Sequence, residues 1–146
     1  MLFTCTTEIN APLKKVVALF EDTDNLKHWQ QGFVSHTLIK GSKGQPDAKA
    51  KIVIQAGRNT IELTETIIIN KLPEESIALY EHKHMVNTMT NRFFAVAENR
   101  TRYETEIHYT QFIGIVPKIM ALLMPWVFKG QVQKTLGRFK AFAESA

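Results

Sequence analysis

The sequence predicts an α+β fold in which an antiparallel sheet packs against a long C-terminal helix. Three observations lead there. Residues 33–112 read as strands separated by short turn clusters, the stretch before them as a strand and two short helices, and the final stretch as an apolar helix.

Taken in order, Leu2–Ile9 alternates loosely and is rich in Thr and Phe, which suggests a strand. In "NAPLKKVVALFED", Asn10 is a candidate cap and Pro12 fits a first turn, where its missing N–H costs nothing. Leu13, Val16, Val17 and Phe20 then form one apolar stripe. "TDNLKHW" offers Thr23 or Asp24 as a second cap, with Leu26 and Trp29 on one face of a short helix that Gly32 ends.

From Phe33 the period changes to two. "FVSHTLIK" stops at "GSKGQPD"; "AKAKIVIQA" places Ala50, Ile52, Ile54 and Ala56 on one side. "IELTETIII" places Ile61, Leu63, Glu65, Ile67 and Ile69 together, and "KLPEE" turns the chain into "SIALYEHKH". "TMTNRFFAVAE" and "RYETEIHYTQF" complete the series, the last with Tyr103, Thr105, Ile107 and Tyr109 on its apolar side. Successive hairpins of this kind make an antiparallel sheet solvated on one side.

The C-terminal "GIVPKIMALLMPWVFKG" is the most apolar run in the chain. A spanning helix needs about 20 consecutive, mainly apolar residues, whereas this run holds Lys118, Lys129 and two prolines. It is therefore expected to form, with "QVQKTLGRFKAF", one helix bent at Pro125, packed on the sheet by a broad buried face. Gly130 and Gly137, seven residues apart, either let that helix approach the sheet closely or are tolerated on its surface.

Composition sets the outer limits. A chain of 146 residues can bury roughly 68% of its unfolded surface, and 45% hydrophobic with 22% charged residues is the balance of a single folded domain, taken as residues 1–146. The single Cys5 cannot form an internal disulfide, and "MLFTCTTEIN" has no signal-peptide pattern, so a cytoplasmic protein is expected. The net charge of +4 comes from scattered Lys and Arg rather than one basic face, which argues against a nucleic-acid partner. Nothing in the sequence fixes an oligomeric state.

The order strand, two short helices, six antiparallel strands and a long helix is that of the helix-grip fold. In "EINAPLKKVVALFEDTDNLKHWQQG" a strand runs into an Ala-Pro helix start and a Trp closes the second helix; in "LIKGSKGQPDAKAKIVI" a glycine-rich turn joins two strands. On these stretches the chain resembles the START-like (SRPBCC) superfamily, which includes birch-pollen-allergen-like proteins and polyketide cyclases. It departs from the pattern at Pro46 and Asp47, where a second glycine is frequent. The resemblance implies a curved seven-stranded sheet around the C-terminal helix with a cavity between them. Bulky side chains or a guest must fill that space, and Met85, Met89, Met120 and Met124 suit either arrangement.

Glu65 is the sharpest polar anomaly, because it interrupts an apolar strand face between Leu63 and Ile67. If Ile69 faces Ile77, Glu65 faces Glu81. A register shifted by one residue gives it Tyr80 or His82 instead, which is the preferred pairing; a solvated Glu65 is the third possibility. Arg92 points inward if Phe94 and Val96 do, and Asn91 replaces it if Phe93 and Ala95 do. Tyr109 could orient the polar end of a ligand. His82 and His84 stand two apart as metal ligands can, but without a Cys or third His no metal is expected; His28, His36 and His108 read as isolated and solvated. There is no phosphate loop, GxSxG or CxxC, so no cofactor is expected and no residue is assigned as catalytic.

The expected function is binding of a small hydrophobic or amphipathic ligand (a lipid, aromatic or polyketide-like compound) between sheet and helix. Its candidate residues are Trp29, Glu65, Tyr80, His82, Arg92, Tyr109, Met120 and Met124. The alternative is a cyclase, dehydratase or isomerase with Glu65 or His82 as general acid or base. A third class is an interaction module that meets a client or a membrane surface through its apolar helix, without stable membrane insertion.

Overall fold

The computed structural model describes residues 1–146. Seven antiparallel strands form one curved sheet in the order β1-β7-β6-β5-β4-β3-β2. The strands are β1 (Leu2–Ile9), β2 (Phe33–Lys40), β3 (Lys49–Ala56), β4 (Asn59–Lys71), β5 (Glu75–Glu81), β6 (Met85–Ala97) and β7 (Arg100–Phe112). Helices α1 (Leu13–Glu21) and α2 (Leu26–Trp29) follow β1, and α3 (Ile115–Leu123) and α4 (Pro125–Ser145) end the chain. This is the expected helix-grip architecture.

Local chemistry explains most of the boundaries. Pro12 stands at the N-cap of α1, and the Asn10 N–H goes to Glu144 Oε2 at 2.7 Å, so Asn10 does not cap the helix. Asp22, rather than Thr23 or Asp24, caps the next turn by accepting the Asp24 N–H at 3.0 Å. Gly32 has φ +72°, and a Cβ there would lie 2.1 Å from the Gln55 carbonyl oxygen, so only glycine fits. In "GQPDAK", Asp47 itself takes φ 70°, the left-handed conformation usually left to glycine, and its N–H extends the β4 ladder by bonding the Ile67 carbonyl at 2.8 Å.

The core lies at one end of the sheet. Phe139, fully buried on α4, meets Phe20, Trp29 and Tyr103 with ring centroids 5.7, 5.2 and 5.7 Å away. Phe93 stacks on Tyr103 at 4.5 Å, and Ile9, Val16, Leu136 and Ala143 close the cluster. The backbone of α4 runs beside β1, α1 and α2. The concave faces of β3–β5 are left less covered, and Ile54, Ile61, Leu63, Ile67 and Tyr80 are half-exposed.

The C-terminal segment corrects an expectation. It is two helices bent by 85° at Met124, not one bent helix, with Pro125 opening α4, where its ring displaces no hydrogen bond. The apolar run is not a buried face either: Ile115, Leu122 and Trp126 are 76, 79 and 66% exposed. No single helix is long and apolar enough to cross a membrane. Gly130 and Gly137 point into open space, which rules out the close-approach reading.

This packing sets two expectations for stability. Gly130→Ala and Gly137→Ala should each stabilise the fold by up to about 1 kcal/mol, seen as a higher urea midpoint, whereas Gly32→Ala should lower it. Phe139→Ala should cost about 3–5 kcal/mol in the same titration, because the cavity would open beneath three aromatic rings.

Candidate functional site

The pairing of β4 with β5 holds both registers that the sequence left open. Ile69 does face Ile77, but Ile67 faces Ala78, so Ile68 is an extra residue in a β-bulge. Beyond the bulge the register is shifted by one, and Glu65 faces Tyr80. Ile69 consequently leaves the face it was expected to share with Ile67.

The Tyr80 hydroxyl donates to Glu65 Oε2 at 2.8 Å, and His36 Nε2 lies 3.1 Å from Oε1. Both carboxylate oxygens are thus engaged, and the side chains of His36 and Glu65 are only 12 and 15% exposed. Around them stand Ala50, Ile52, Leu63 and Ile67 on the same concave face. A carboxylate in such surroundings requires partners, and these two supply them. Burial, reinforced by the Glu65 charge and hydrogen bond, pushes the Tyr80 phenol well above its ordinary range, so the hydroxyl remains a donor.

The row continues across the sheet. Tyr80 faces Asn87 and Asn87 faces Tyr109, so Glu65, Tyr80, Asn87 and Tyr109 form a polar line across four strands, about 14 Å long at the usual strand spacing. At its far end Tyr109 packs with Phe112 and Phe128, both 5.3 Å away, and burial raises its phenol pKa too. Asn91 and Tyr103 form a second buried pair, joined by a 2.7 Å hydrogen bond from the Tyr103 hydroxyl.

The remaining candidates lie elsewhere. Arg92 is on the opposite, convex face, 3.1 Å from Glu75 and 3.5 Å from Glu104; alternation brings Asn91 and Phe93 inward in its place. His82 sits in the β5–β6 turn, where its Nδ1 accepts the His84 N–H at 3.3 Å. Its pKa is lowered by burial and then by His84 and Lys83. Trp29 belongs to the Phe139 cluster, and its indole N–H is buried with no acceptor from the chain. Met120 is half-buried on α3, and Met124 stands at the bend between α3 and α4.

Contrary to the reading from sequence, His36 is not solvated. It faces Ile52 in the regular stretch of β2; between that stretch and β3 lie a register shift at Leu38–Lys40 and an eight-residue loop (41–48). A depression of about 290 Å³, lined by Thr23, Asp24, Lys27, Phe33, Ser35 and His36, opens beside it. Another, of about 390 Å³, lies outside the bowl against α1 and Pro73; neither is lined by Glu65 or Tyr80.

All three tyrosines, Tyr80, Tyr103 and Tyr109, have pKa values raised by burial. The unfolded chain therefore releases these protons first, and stability present below about pH 10 should fall as pH rises beyond it. Phenolate absorbance at 295 nm should appear together with loss of secondary structure; ionisation at about pH 10 in the folded protein would contradict the placement.

Comparison with known proteins agrees with this architecture. Residues 2–144 match the family described as polyketide cyclase / dehydrase and lipid transport. No curated protein sequence matches the chain. Among solved structures, an aromatase/cyclase from Streptomyces sp. R1128 superposes with a TM-score of 0.81 at 11% identity, covering 99% of this chain and 93% of its own. A protein of Thermus thermophilus gives 0.79 at 16% identity, covering 99 and 98%. Norcoclaurine synthase from Thalictrum flavum, solved in complex with dopamine and hydroxybenzaldehyde, gives 0.69 at 11% identity, covering 97 and 85%. At these identities the structures share a fold, while the sequence match extends over nearly every residue. The chain belongs to the polyketide cyclase / dehydrase and lipid transport family, with the START-like helix-grip fold.

Proposed function

We propose that the chain binds a small hydrophobic or amphipathic molecule on the concave face of the sheet. The polar end of the ligand would meet Glu65, Tyr80 and His36, and its apolar part would lie along Ile52, Leu63, Ile67 and Met89 toward Tyr109. The observation that carries this reading is Glu65, an engaged carboxylate on an apolar and incompletely covered surface. The family description, which includes lipid transport, supports the same class of ligand. Arg92 and His82 have no part in this arrangement.

A second reading is favoured by one feature of the same group. Carboxylate, imidazole and phenol are linked by hydrogen bonds, the combination that general acid–base chemistry uses. A cyclase, dehydratase or isomerase would use Glu65 as the proton acceptor, with His36 in the role expected of His82.

Native mass spectrometry of freshly purified protein, followed by displacement of an anilinonaphthalene dye, tests the binding reading. A bound small molecule or a saturable dye site is expected. Glu65→Gln and Tyr80→Phe should each weaken the site by about 1–2 kcal/mol, roughly five- to thirtyfold. Dye binding unchanged in both variants would place the ligand elsewhere. Should a substrate be found, Glu65→Gln must abolish turnover while leaving binding measurable, or the enzymatic reading fails.

A further inference from the structure

On α3 the usual pattern of a surface helix is inverted. Its inward side carries Pro117, Met120 and Ala121, whereas its outward side carries Ile115, Ile119, Leu122 and Leu123 with Lys118. The exposed apolar surface continues around the 85° bend through Trp126 and Val127 on α4, so the apolar residues surround a corner rather than line a groove. A contiguous patch of this kind on a folded domain marks a contact site.

Charge indicates the partner. From Ile107 to Ala143 the sequence contains no Asp or Glu, yet it holds Lys118, Lys129, Lys134, Arg138 and Lys140. Only Lys140 is engaged in an ion pair, with Glu144. The other four are exposed and uncompensated, and Lys118 and Lys129 flank the apolar corner on either side. Apolar side chains with a Trp among them, flanked by long cationic side chains, match the layering of a bilayer surface: acyl chains, then the interface, then anionic headgroups. A second copy of this chain would bring the same uncompensated cations against one another, and so fits less well.

We infer that the α3–α4 corner docks on anionic lipid bilayers, with the apolar corner entering the headgroup boundary and Lys118 and Lys129 meeting lipid phosphates. The contact is peripheral, because neither helix alone is both long and apolar enough to span, and the two together, which do have the length, are bent by 85°. It is independent of whether the concave face holds a ligand.

The test is sedimentation of the full chain with phosphatidylcholine vesicles, with and without phosphatidylserine, alongside tryptophan emission. Of the two tryptophans, Trp29 is buried and Trp126 exposed, so a blue shift on binding reports Trp126 and should vanish in Trp126→Phe. Binding should require phosphatidylserine and weaken with salt. Leu122→Ser should lower the partition coefficient about tenfold or more, and Lys118→Glu and Lys129→Glu about fivefold each. All of these positions are exposed, and circular dichroism should show the variants folded. Protein that stays in the supernatant with anionic vesicles overturns the inference, as does binding indifferent to these substitutions. A dimer in sedimentation velocity that Leu122→Ser dissolves would also overturn it, by assigning the corner to a second copy.

Discussion

The insertion of Phe139 among Phe20, Trp29 and Tyr103 determines where the last helix can lie. Aromatic pairs at these separations contribute about 0.5–1.5 kcal/mol each beyond the area they bury. Together they hold α4 to the β1 side of the bowl, with α1 and α2 beside it. A single helix, about 10–12 Å across, cannot also cover the strands at the other side. The open concave face of β3–β5 is therefore a consequence of how the core is made.

Within that open half the polar residues are arranged by register. An uninterrupted ladder from the Ile69–Ile77 pair would bring Glu65 against Glu81, two like charges across a strand pair. The bulge moves the carboxylate to a phenol instead, and β2, whose register shifts between Leu38 and Lys40, presents an imidazole to its other oxygen. The concave surface thus gains a hydrogen-bonded polar centre among aliphatic side chains. It combines one anchoring point with a broad apolar floor, the usual composition of a small-molecule site.

Much of this was legible in the residues. Period-two alternation gave all seven strands, and the Ala-Pro start and Trp29 gave the short helices. Glu65 stood out because a charge on an aliphatic strand face is rare enough to demand a partner. Its preferred partners, Tyr80 or His82, followed once a one-residue shift was allowed, and of the two it is Tyr80 that stands opposite. Arg92 and His36 could not be placed the same way. Strand alternation says which residues share a face but not which face looks inward, and the register of His36 follows a shift at Leu38–Lys40 that leaves no mark in composition. The C-terminal run misled for a different reason: hydrophobicity normally reports burial, but here the apolar residues of α3 face outward. Local pattern cannot distinguish a buried stripe from one reserved for an outside partner.

The bulge at Ile68 also bears on how much the strand can change. Ile68 is exposed and supernumerary, while the residues on either side of it, Ile67 and Ile69, already have their own opposite numbers in Ala78 and Ile77. A chain lacking that one position would zip into a regular ladder and still set the carboxylate against the phenol. Losing a residue from most strands turns every later side chain over; here the facing pair of Glu65 and Tyr80 would survive the loss.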